Sequence, residues 1–160
     1  MNNHILKDRR NQCGSVAVEF AFILPLLVLV LALTLFFGRV FWHYTVAQKA
    51  AHDASMMLAN ATKVEMGARQ LDLSDIEVAN LAREVAAKEI AELNPGLGGL
   101  PRVEVFCDNS ACKGTTVPSE VRVLITIRMV DGILGGFTDQ FGGNEGLLLT
   151  ADVRMPYVGD

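Results

Sequence analysis

Excess positive charge, metal-ligand clusters and catalytic groupings are all missing from this sequence. Its 160 residues include three cysteines, three histidines and one tryptophan, and the net charge is −4. An acidic balance argues against nucleic acid as a partner. No Ser-His-Asp grouping stands in a recognisable setting, and no His, Cys and acidic residues share metal-ligand spacing. We therefore expect a protein that is not an enzyme and that uses no metal or cofactor.

Charge is also missing from one long stretch near the N-terminus. From Phe20 to Phe37 no side chain is charged, and Thr34 is the only polar one. With residues 15–18 in front, the run reaches the roughly 20 residues that cross the core of a bilayer. A secretory signal peptide has a shorter apolar region of about 7–15 residues. The pattern predicts a transmembrane segment over residues 15–38.

The basic residues of the chain's first segment predict its orientation. Residues 1–14 carry Lys7, Arg9 and Arg10 against Asp8, a charge of +2, which leaves −6 for the rest of the chain. Basic residues next to a membrane helix favour the cytoplasmic side. We expect residues 39–160 to lie outside the cytoplasm.

Glu19 is an acidic residue at the mouth of the apolar stretch. A carboxylate at the bilayer centre costs about 2.5–3.5 kcal/mol on insertion scales. One interpretation is an interfacial residue favoured by the dipole at the helix N-terminus. The other is functional: if the chain were cut after Gly14, the new amine of Ser15 would lie one helical turn from Glu19.

The residues around this position resemble the processing site of type IV pilin-like precursors. The matching features are a basic leader, then Gly14-Ser15, then Glu19-Phe20, and an apolar helix that contains Pro25. Residues 9–60 are most similar to the TadE-like minor pilins of tight-adherence (Flp) pilus systems, and TadF-like members share the stretch. Ser15, in place of the Phe of many ordinary type IV pilins, favours the tight-adherence branch.

The resemblance implies a precursor with a leader over residues 1–14 that a prepilin peptidase removes after Gly14. Glu19 would then pair with an N-terminal amine, its own or a neighbour's, during pilus assembly. The implied partners are other pilin or pseudopilin subunits, the assembly machinery of the bacterial inner membrane and the lipid bilayer. The implied location is that membrane, with the C-terminal part periplasmic or carried into a surface pilus that mediates adhesion. The alternative is an uncleaved single-pass scaffold or adaptor of an envelope complex.

The apolar helix is expected to continue beyond the membrane, to about Ala61. Small and apolar residues recur at alternating spacings of four and three over residues 39–61, with Ala47, Ala51, Ala54 and Leu58 at their centre. Alanine lets helices approach closely. The stripe could pack against neighbouring subunits or against the chain's own globular part, and the sequence leaves both open. His43 and His52, nine residues apart, are expected at the surface.

Residues 62–160 are expected to form a small α+β domain. Residues 62–73 are interpreted as a connector, and Ser74 with Glu77 has the spacing of a capping box that starts a second helix. That helix should end at residues 94–96, with an apolar side made of Val78, Leu81, Val85, Ala86, Ile90 and Leu93. Alternating residues predict about three antiparallel strands, over residues 102–107, 121–128 and 147–155.

Two cysteines enclose a short loop after the first of these strands. Cys107 and Cys112 lie on the predicted outer side of the membrane, where disulfides persist, so we expect them to be bonded. Cys13 would leave with the leader. Residues 131–146 are rich in glycine but lack the Gly-Lys-Ser/Thr ending of a phosphate loop, so they are interpreted as a surface loop.

Overall fold

The structure, a computed structural model, describes residues 12–67, 76–93, 99–114, 116–129 and 146–159, with side chains from residue 16 onward. It divides into two compact units, Met1–Gly38 and Arg39–Asp160. A long N-terminal apolar helix, further helices and an antiparallel sheet make it an α+β protein. The predicted fold class is confirmed.

Helix α1 spans Gln12–Ala59, so it begins before the predicted start at Ser15 and ends before Ala61. Pro25 lies inside it. Proline has no N–H, so the carbonyl of Ala21 has no intrahelical donor there. In the first unit, large apolar side chains point away from the helix on every side and remain exposed.

The part of α1 in the second unit is buried along one stripe. Ala47, Ala51, Ala54 and Leu58 are at most 1% exposed and belong to the same core cluster as the other helices and the sheet. The chain's own folded unit therefore covers the alanine stripe. Small side chains allow this helix to lie close to its neighbours in the core.

Two further helices follow. Helix α2 spans Lys63–Met66, within the stretch interpreted as a connector, and Thr62 and Glu65 form a capping box at its start. Helix α3 spans Glu77–Ala91, and its N-cap is Ile76, which makes no side-chain cap bond. The predicted N-cap, Ser74, lies outside the described residues.

The buried face of α3 agrees only in part with the predicted apolar side, of which Ala86, Ile90 and Leu93 are buried. Its buried residues are Ala79, Ala82, Ala86 and Ile90. Leu81 is instead 48% exposed, and Val78 is only partly buried. Hydrophobicity alone predicted that the larger side chains would be buried, but alanine side chains fill much of the buried face of α3.

The sheet has four strands in the order β2-β1-β3-β4, all antiparallel. They are β1 (Arg102–Cys107), β2 (Ser110–Ala111), β3 (Glu120–Met129) and β4 (Leu147–Pro156). The central strand β3 alternates, and its odd-numbered residues face the core. Strands β1, β3 and β4 correspond to the three predicted strands, whereas β2 was not predicted.

A tight hairpin joins β1 to β2. Cys107 is paired with Ser110, and the two residues between them, Asp108 and Asn109, both have positive φ, at 50° and 65°. Positive φ at both central positions is the geometry of a type I′ turn, which suits the twist of a hairpin and which Asn and Asp tolerate. Cys107 and Cys112 are joined by a disulfide with an S–S distance of 2.04 Å.

The C-terminal segment is fastened to the end of α1. The Val158 N–H donates to the Ala59 carbonyl at 3.0 Å, and the Tyr157 hydroxyl donates to the Ala61 carbonyl at 2.6 Å. We call these two bonds the C-terminal clasp. They connect the last described residues to the first helix of the chain.

Candidate functional site

The apolar surface of the first unit is the most unusual chemical feature of the chain. α1 is long and apolar enough to cross a membrane, and none of its most apolar window is buried. Phe22, for example, is 77% exposed. A core helix of a soluble protein would bury these side chains, so this surface is suited to lipid or to other apolar helices.

Polar groups inside this surface are few, and Thr34 is satisfied locally. Its hydroxyl donates to the Val30 carbonyl at 2.9 Å, one turn earlier in α1. In a bilayer, unsatisfied polar groups cost several kcal/mol. Pro25 has no N–H that could donate to the Ala21 carbonyl, one turn earlier in α1.

The three residues of the predicted processing and assembly site lie at the start of α1. Gly14 and Ser15 belong to its first turn, and Glu19 follows one turn later, with an exposed side chain. Glu19 makes no hydrogen bond or ion pair with another described side chain. The structure thus holds a carboxylate on an apolar helix without a cation beside it among the described residues.

Aromatic side chains lie just beyond the apolar stretch, at the beginning of the second unit. Phe41, Trp42 and Tyr44 are exposed, and the Gln48 amide donates to the Tyr44 hydroxyl at 2.8 Å. Trp and Tyr favour the interface between membrane and water. Their positions on α1 suit the end of a membrane span.

His43 is buried, so the expectation of a surface residue was wrong. It is 1% exposed, and its ring nitrogens lie 2.8 Å from the Arg39 carbonyl oxygen and 3.2 Å from the Leu93 carbonyl oxygen. It links α1 to the residues that follow α3. His52 is exposed, as expected, and lies 3.5 Å from Asp53. The sequence pattern did not distinguish the two histidines, because the burial of His43 depends on its contact with Leu93, 50 residues away in the chain.

The disulfide hairpin is held by the Asp108 carboxylate. It accepts hydrogen bonds from the Ser119 hydroxyl at 2.7 Å and from the Glu120 N–H at 3.0 Å. These bonds lower the pKa of Asp108, the Ser119 hydroxyl contributing most. The Ile76 N–H donates to the Cys112 carbonyl at 3.0 Å, which fastens the hairpin to the start of α3. Sequence reasoning found the cysteines and missed Asp108, although Asp-Asn is a recognised turn signal.

Nothing in the described part of the chain resembles a metal or catalytic centre. No group of three or more His, Cys, Asp or Glu side chains is close enough there to hold a metal ion. An open groove of about 740 Å³ lies in the second unit, and its lining consists of Met57, Val64, Glu65, Glu77, Val78, Asn80, Leu81 and Glu84. Its carboxylates have no nucleophile beside them in that lining.

These features define a class: a protein with one candidate membrane-spanning helix at its N-terminus, attached to a small α+β unit. The family model described as TadE-like protein matches residues 14–56. This match confirms the predicted resemblance over that stretch, which includes Gly14, Glu19 and the three alanines of the stripe, Ala47, Ala51 and Ala54. The TadE-like family is a family of structural pilus components. No curated protein and no solved structure gives a significant match.

Proposed function

We propose that the chain is a minor pilin or pseudopilin of a tight-adherence pilus, made as a precursor and acting in pilus assembly and adhesion. The observation that carries the proposal is the TadE-like match to residues 14–56. That match begins at the proposed cleavage site and includes the whole exposed apolar surface. The proposed division is a leader over residues 1–14, a membrane segment over 15–38, a continuation of the helix over 39–61 and a globular part from residue 62.

In this proposal, a prepilin peptidase of the inner membrane cuts between Gly14 and Ser15 on the cytoplasmic side. The basic residues of the leader keep that end of the chain inside. The rest of the protein then lies in the periplasm, where the disulfide of Cys107 and Cys112 persists. The new N-terminal amine appears within one turn of Glu19.

The proposed role of Glu19 is electrostatic. An exposed carboxylate on an apolar helix is costly at membrane depth, about 2.5–3.5 kcal/mol at the bilayer centre. An N-terminal amine from the same or a neighbouring subunit offsets that cost. Docking into an assembly of subunits thereby becomes favourable for the processed chain, and not for the precursor, whose residue 15 has no free amine.

The surfaces open to neighbouring subunits follow from the burial of α1. The alanine stripe at Ala47, Ala51, Ala54 and Leu58 is already covered inside the second unit. The exposed apolar side chains of the first unit are not. We propose that lipid covers this surface before assembly, and that other pilin subunits cover it afterwards.

The N-terminal residue of the membrane-expressed protein tests processing. With a co-expressed prepilin peptidase, intact mass and N-terminal sequencing should show a chain that begins at Ser15; without the peptidase, it should begin at Met1. Gly14→Ala should block the cut, and Gly38→Ala serves as a matched glycine control on the same helix. A chain that still begins at Met1 beside an active peptidase contradicts the proposal.

Assembly is tested separately with Glu19→Ala. This variant should be cut at a rate close to that of the parent protein, yet its incorporation into assembled pili or assembly complexes should fall by about tenfold or more. Fractionation and immunoblotting of sheared pili and membranes would measure both. Normal assembly of the Ala variant would refute the electrostatic role of Glu19.

The alternative is an uncleaved single-pass scaffold or adaptor of an envelope complex. It shares the helix and the folded unit with the first proposal, and it differs in giving Gly14 no role. Under this alternative, Gly14→Ala is silent in every assay above.

A further inference from the structure

Two hydrogen-bond donors just beyond the apolar stretch of α1 are not used within the described part of the chain. Arg39 is exposed, and its side chain makes no ion pair with another described residue. Trp42 is also exposed; its ring contacts that of His43, and its indole N–H has no acceptor among the described residues. A guanidinium carries five N–H donors and an indole carries one. Both side chains are therefore available to acceptors from outside the described chain.

The position of these residues along α1 matches the end of a membrane span. No side chain from Phe20 to Gly38 is charged, and at 1.5 Å per residue this stretch covers about 28 Å. The hydrocarbon core of a bilayer is about 30 Å thick, and each headgroup layer adds about 5–7.5 Å. Arg39 therefore follows where the core ends. Trp42 and Tyr44 lie about 4.5 and 7.5 Å further along the axis, within the depth of the headgroup layer.

The exposed aromatic side chains surround the free side of the helix and do not form a narrow stripe. Successive residues of an α-helix are about 100° apart, so Phe41, Trp42 and Tyr44 spread over about 160° of the circumference. The opposite side holds His43, which is buried in the second unit. One neighbouring helix contacts a stripe about 100° wide, whereas lipid surrounds every free side. The arrangement therefore fits lipid better than a second copy of α1.

We infer that Arg39, Phe41, Trp42 and Tyr44 form a membrane collar, which lies in the lipid headgroup layer at the end of the span. Because α1 is unbroken over Gln12–Ala59, a helix that crosses the core enters this layer directly. Lipid phosphate oxygens accept hydrogen bonds from the guanidinium, and phosphate or ester oxygens accept from the indole N–H. The inference rests on the membrane span proposed above, but not on cleavage, orientation or the pilus role.

The membrane collar also determines which part of the second unit meets the bilayer. His43 lies between the collar residues in sequence, and one of its ring nitrogens is 3.2 Å from the Leu93 carbonyl oxygen. Leu93, just after α3, is therefore held at the level of the collar. The second unit thus begins at the membrane surface, with no linker before it.

Trp42 is the only tryptophan of the chain, so its fluorescence reports the depth of the collar directly. The full-length protein is reconstituted in phosphatidylcholine vesicles whose lipids carry bromine near the start, in the middle or at the end of one acyl chain. Bromine near the start, next to the headgroups, should quench at least about twofold more than bromine at the end. Equal or stronger quenching by bromine at the end would place Trp42 in the hydrocarbon, which overturns the inference.

The same measurement tests the other possible occupants of this surface. No quenching by any of the three lipids would place Trp42 in water or beneath another segment of the chain. Quenching that appears only when lipid is in large excess over protein would mean that a second copy covers Trp42. Each of these results overturns the inference.

Two matched variants move the tryptophan along the same side of α1. Leu35 and Lys49 are exposed and lie seven residues before and after Trp42, about 10.5 Å away along the axis. Each is replaced by Trp in a chain that also carries Trp42→Phe. Leu35→Trp should be quenched most by bromine in the middle of the acyl chain, and Lys49→Trp by none of the three lipids. The same quenching profile at all three positions overturns the inference.

The place of Arg39 in the collar is tested through its charge. Arg39→Leu extends the uncharged stretch, so Trp42 should move toward the hydrocarbon, and quenching by bromine in the middle of the chain should rise at least about twofold. Arg39→Lys keeps the charge and should keep the parent profile. Lys49→Leu removes an exposed cation beyond the collar and is the matched control, which should also keep it. An unchanged profile in Arg39→Leu would contradict the place of Arg39 in the collar.

Retention in the bilayer separates failure of this inference from failure of the proposed span. Vesicles that carry the parent protein are washed at high pH and floated on a density gradient, and they should retain the protein. Protein that is washed off has no span, which overturns both the proposed membrane segment and the collar. Protein that is retained, but in which Trp42 lies at the wrong depth, overturns the collar alone.

Discussion

His43 shows how one buried side chain can join two elements. Its two ring nitrogens lie next to carbonyl oxygens of α1 and of the residues after α3. Removal of the ring leaves the Leu93 carbonyl without this partner and opens a cavity. Both effects raise the free energy of the folded state relative to the unfolded chain.

We expect His43→Ala to lower the free energy of unfolding by about 1–3 kcal/mol, the cost of one unsatisfied buried group. Urea unfolding of the full chain in micelles, followed by circular dichroism, would measure the change. The control is His52→Ala, which removes an exposed histidine from the same helix and should stay within about 0.5 kcal/mol of the parent protein. Equal effects of the two variants on the free energy of unfolding would contradict the role of His43 in joining α1 to the residues after α3.

Gly159 is the residue on which the C-terminal clasp depends most closely. A Cβ atom at this position would overlap the Ala61 carbonyl oxygen and the ring of Tyr157. The adjacent Val158 N–H donates to the Ala59 carbonyl at 3.0 Å, so a shift of the backbone at Gly159 would also disturb that hydrogen bond. Glycine is therefore required here for close approach and not for an unusual backbone angle.

Gly159→Ala should open the clasp, so the Val158 amide should exchange at least about tenfold faster. Gly38→Ala is the matched control, because a Cβ there has nothing within 4 Å. That variant should leave Val158 unchanged. Tyr157→Phe removes the hydroxyl alone and should lower the free energy of unfolding by about 0.5–1.5 kcal/mol. Slow exchange of Val158 in Gly159→Ala would show that the segment adapts.

At the scale of elements, α2 depends on its cap because it has only four residues. The Thr62 hydroxyl accepts from the Glu65 N–H at 3.4 Å, and the Glu65 carboxylate accepts from the Thr62 N–H at 2.8 Å. The Glu65 carboxylate also accepts a hydrogen bond from the Thr62 hydroxyl at 2.8 Å. The bonds from the Thr62 N–H and hydroxyl lower the pKa of Glu65, and the N–H contributes most. A helix this short cannot compensate by its own internal bonds.

Thr62→Ala should lower the free energy of unfolding by about 1 kcal/mol, a common cost for loss of an N-cap. Thr45→Ala is the control within α1, where the hydroxyl only bonds back to the Phe41 carbonyl of its own helix. It should change stability by less than about 0.5 kcal/mol. Thermal melts of both variants in the same detergent decide whether the cap matters.

The elements differ in how well the sequence predicted them. The strands β1, β3 and β4 follow strict alternation, which directly records which face is buried. β2 has two residues, too few for any period. α2 carried the Thr-x-x-Glu signal of a capping box, but a four-residue helix has no amphipathic repeat to support it. These misses arise where the element is hardly longer than one structural period, so no repeat can be recognised.

The helix faces were predicted less well than the helices themselves. In α3, Ala79 and Ala82 are buried, whereas Leu81 is largely exposed. Hydrophobicity ranks leucine above alanine, but the space available between packed elements decides which side chain fits. For the same reason the alanine stripe of α1 was predicted as a contact, while its partner, self or neighbour, could be found only from the tertiary structure. His43 and the clasp also depend on residues distant in sequence.

At the scale of the whole molecule, stability in acid should depend in part on two carboxylates of the hairpin and the sheet, Asp108 and Asp152. Hydrogen bonds from the Ser119 hydroxyl and the Glu120 N–H lower the pKa of Asp108, and a hydrogen bond from Arg122 lowers that of Asp152. An unperturbed Asp has a pKa of about 3.9. Because the pKa of these two groups is lower in the folded state, the unfolded chain binds more protons than the folded chain near that pH. The two ionised carboxylates therefore contribute fully to the free energy of unfolding above the unfolded-state pKa. That contribution is lost as the pH falls through the lower pKa of the folded state.

The melting temperature should therefore fall as the pH is lowered from about 5 to about 2. In the double variant Asp108→Asn with Asp152→Asn, the melting temperature should be lower at neutral pH and should change less across this pH range. Melting curves at matched ionic strength would measure both slopes. An unchanged slope in the double variant would show that other carboxylates govern the acid response.

The C-terminal clasp also has a consequence for the order in which the protein is made. In the topology proposed above, α1 would reach the far side of the membrane long before Tyr157 and Val158 had been synthesised. Until they are made, the end of α1 lacks both of their hydrogen bonds, and the core cluster that contains the alanine stripe lacks Ala151 of β4. Translation of the intervening residues, about a hundred at roughly 5–20 residues per second, takes several seconds. During that time the incomplete chain would expose part of a helix surface that is buried in the finished protein.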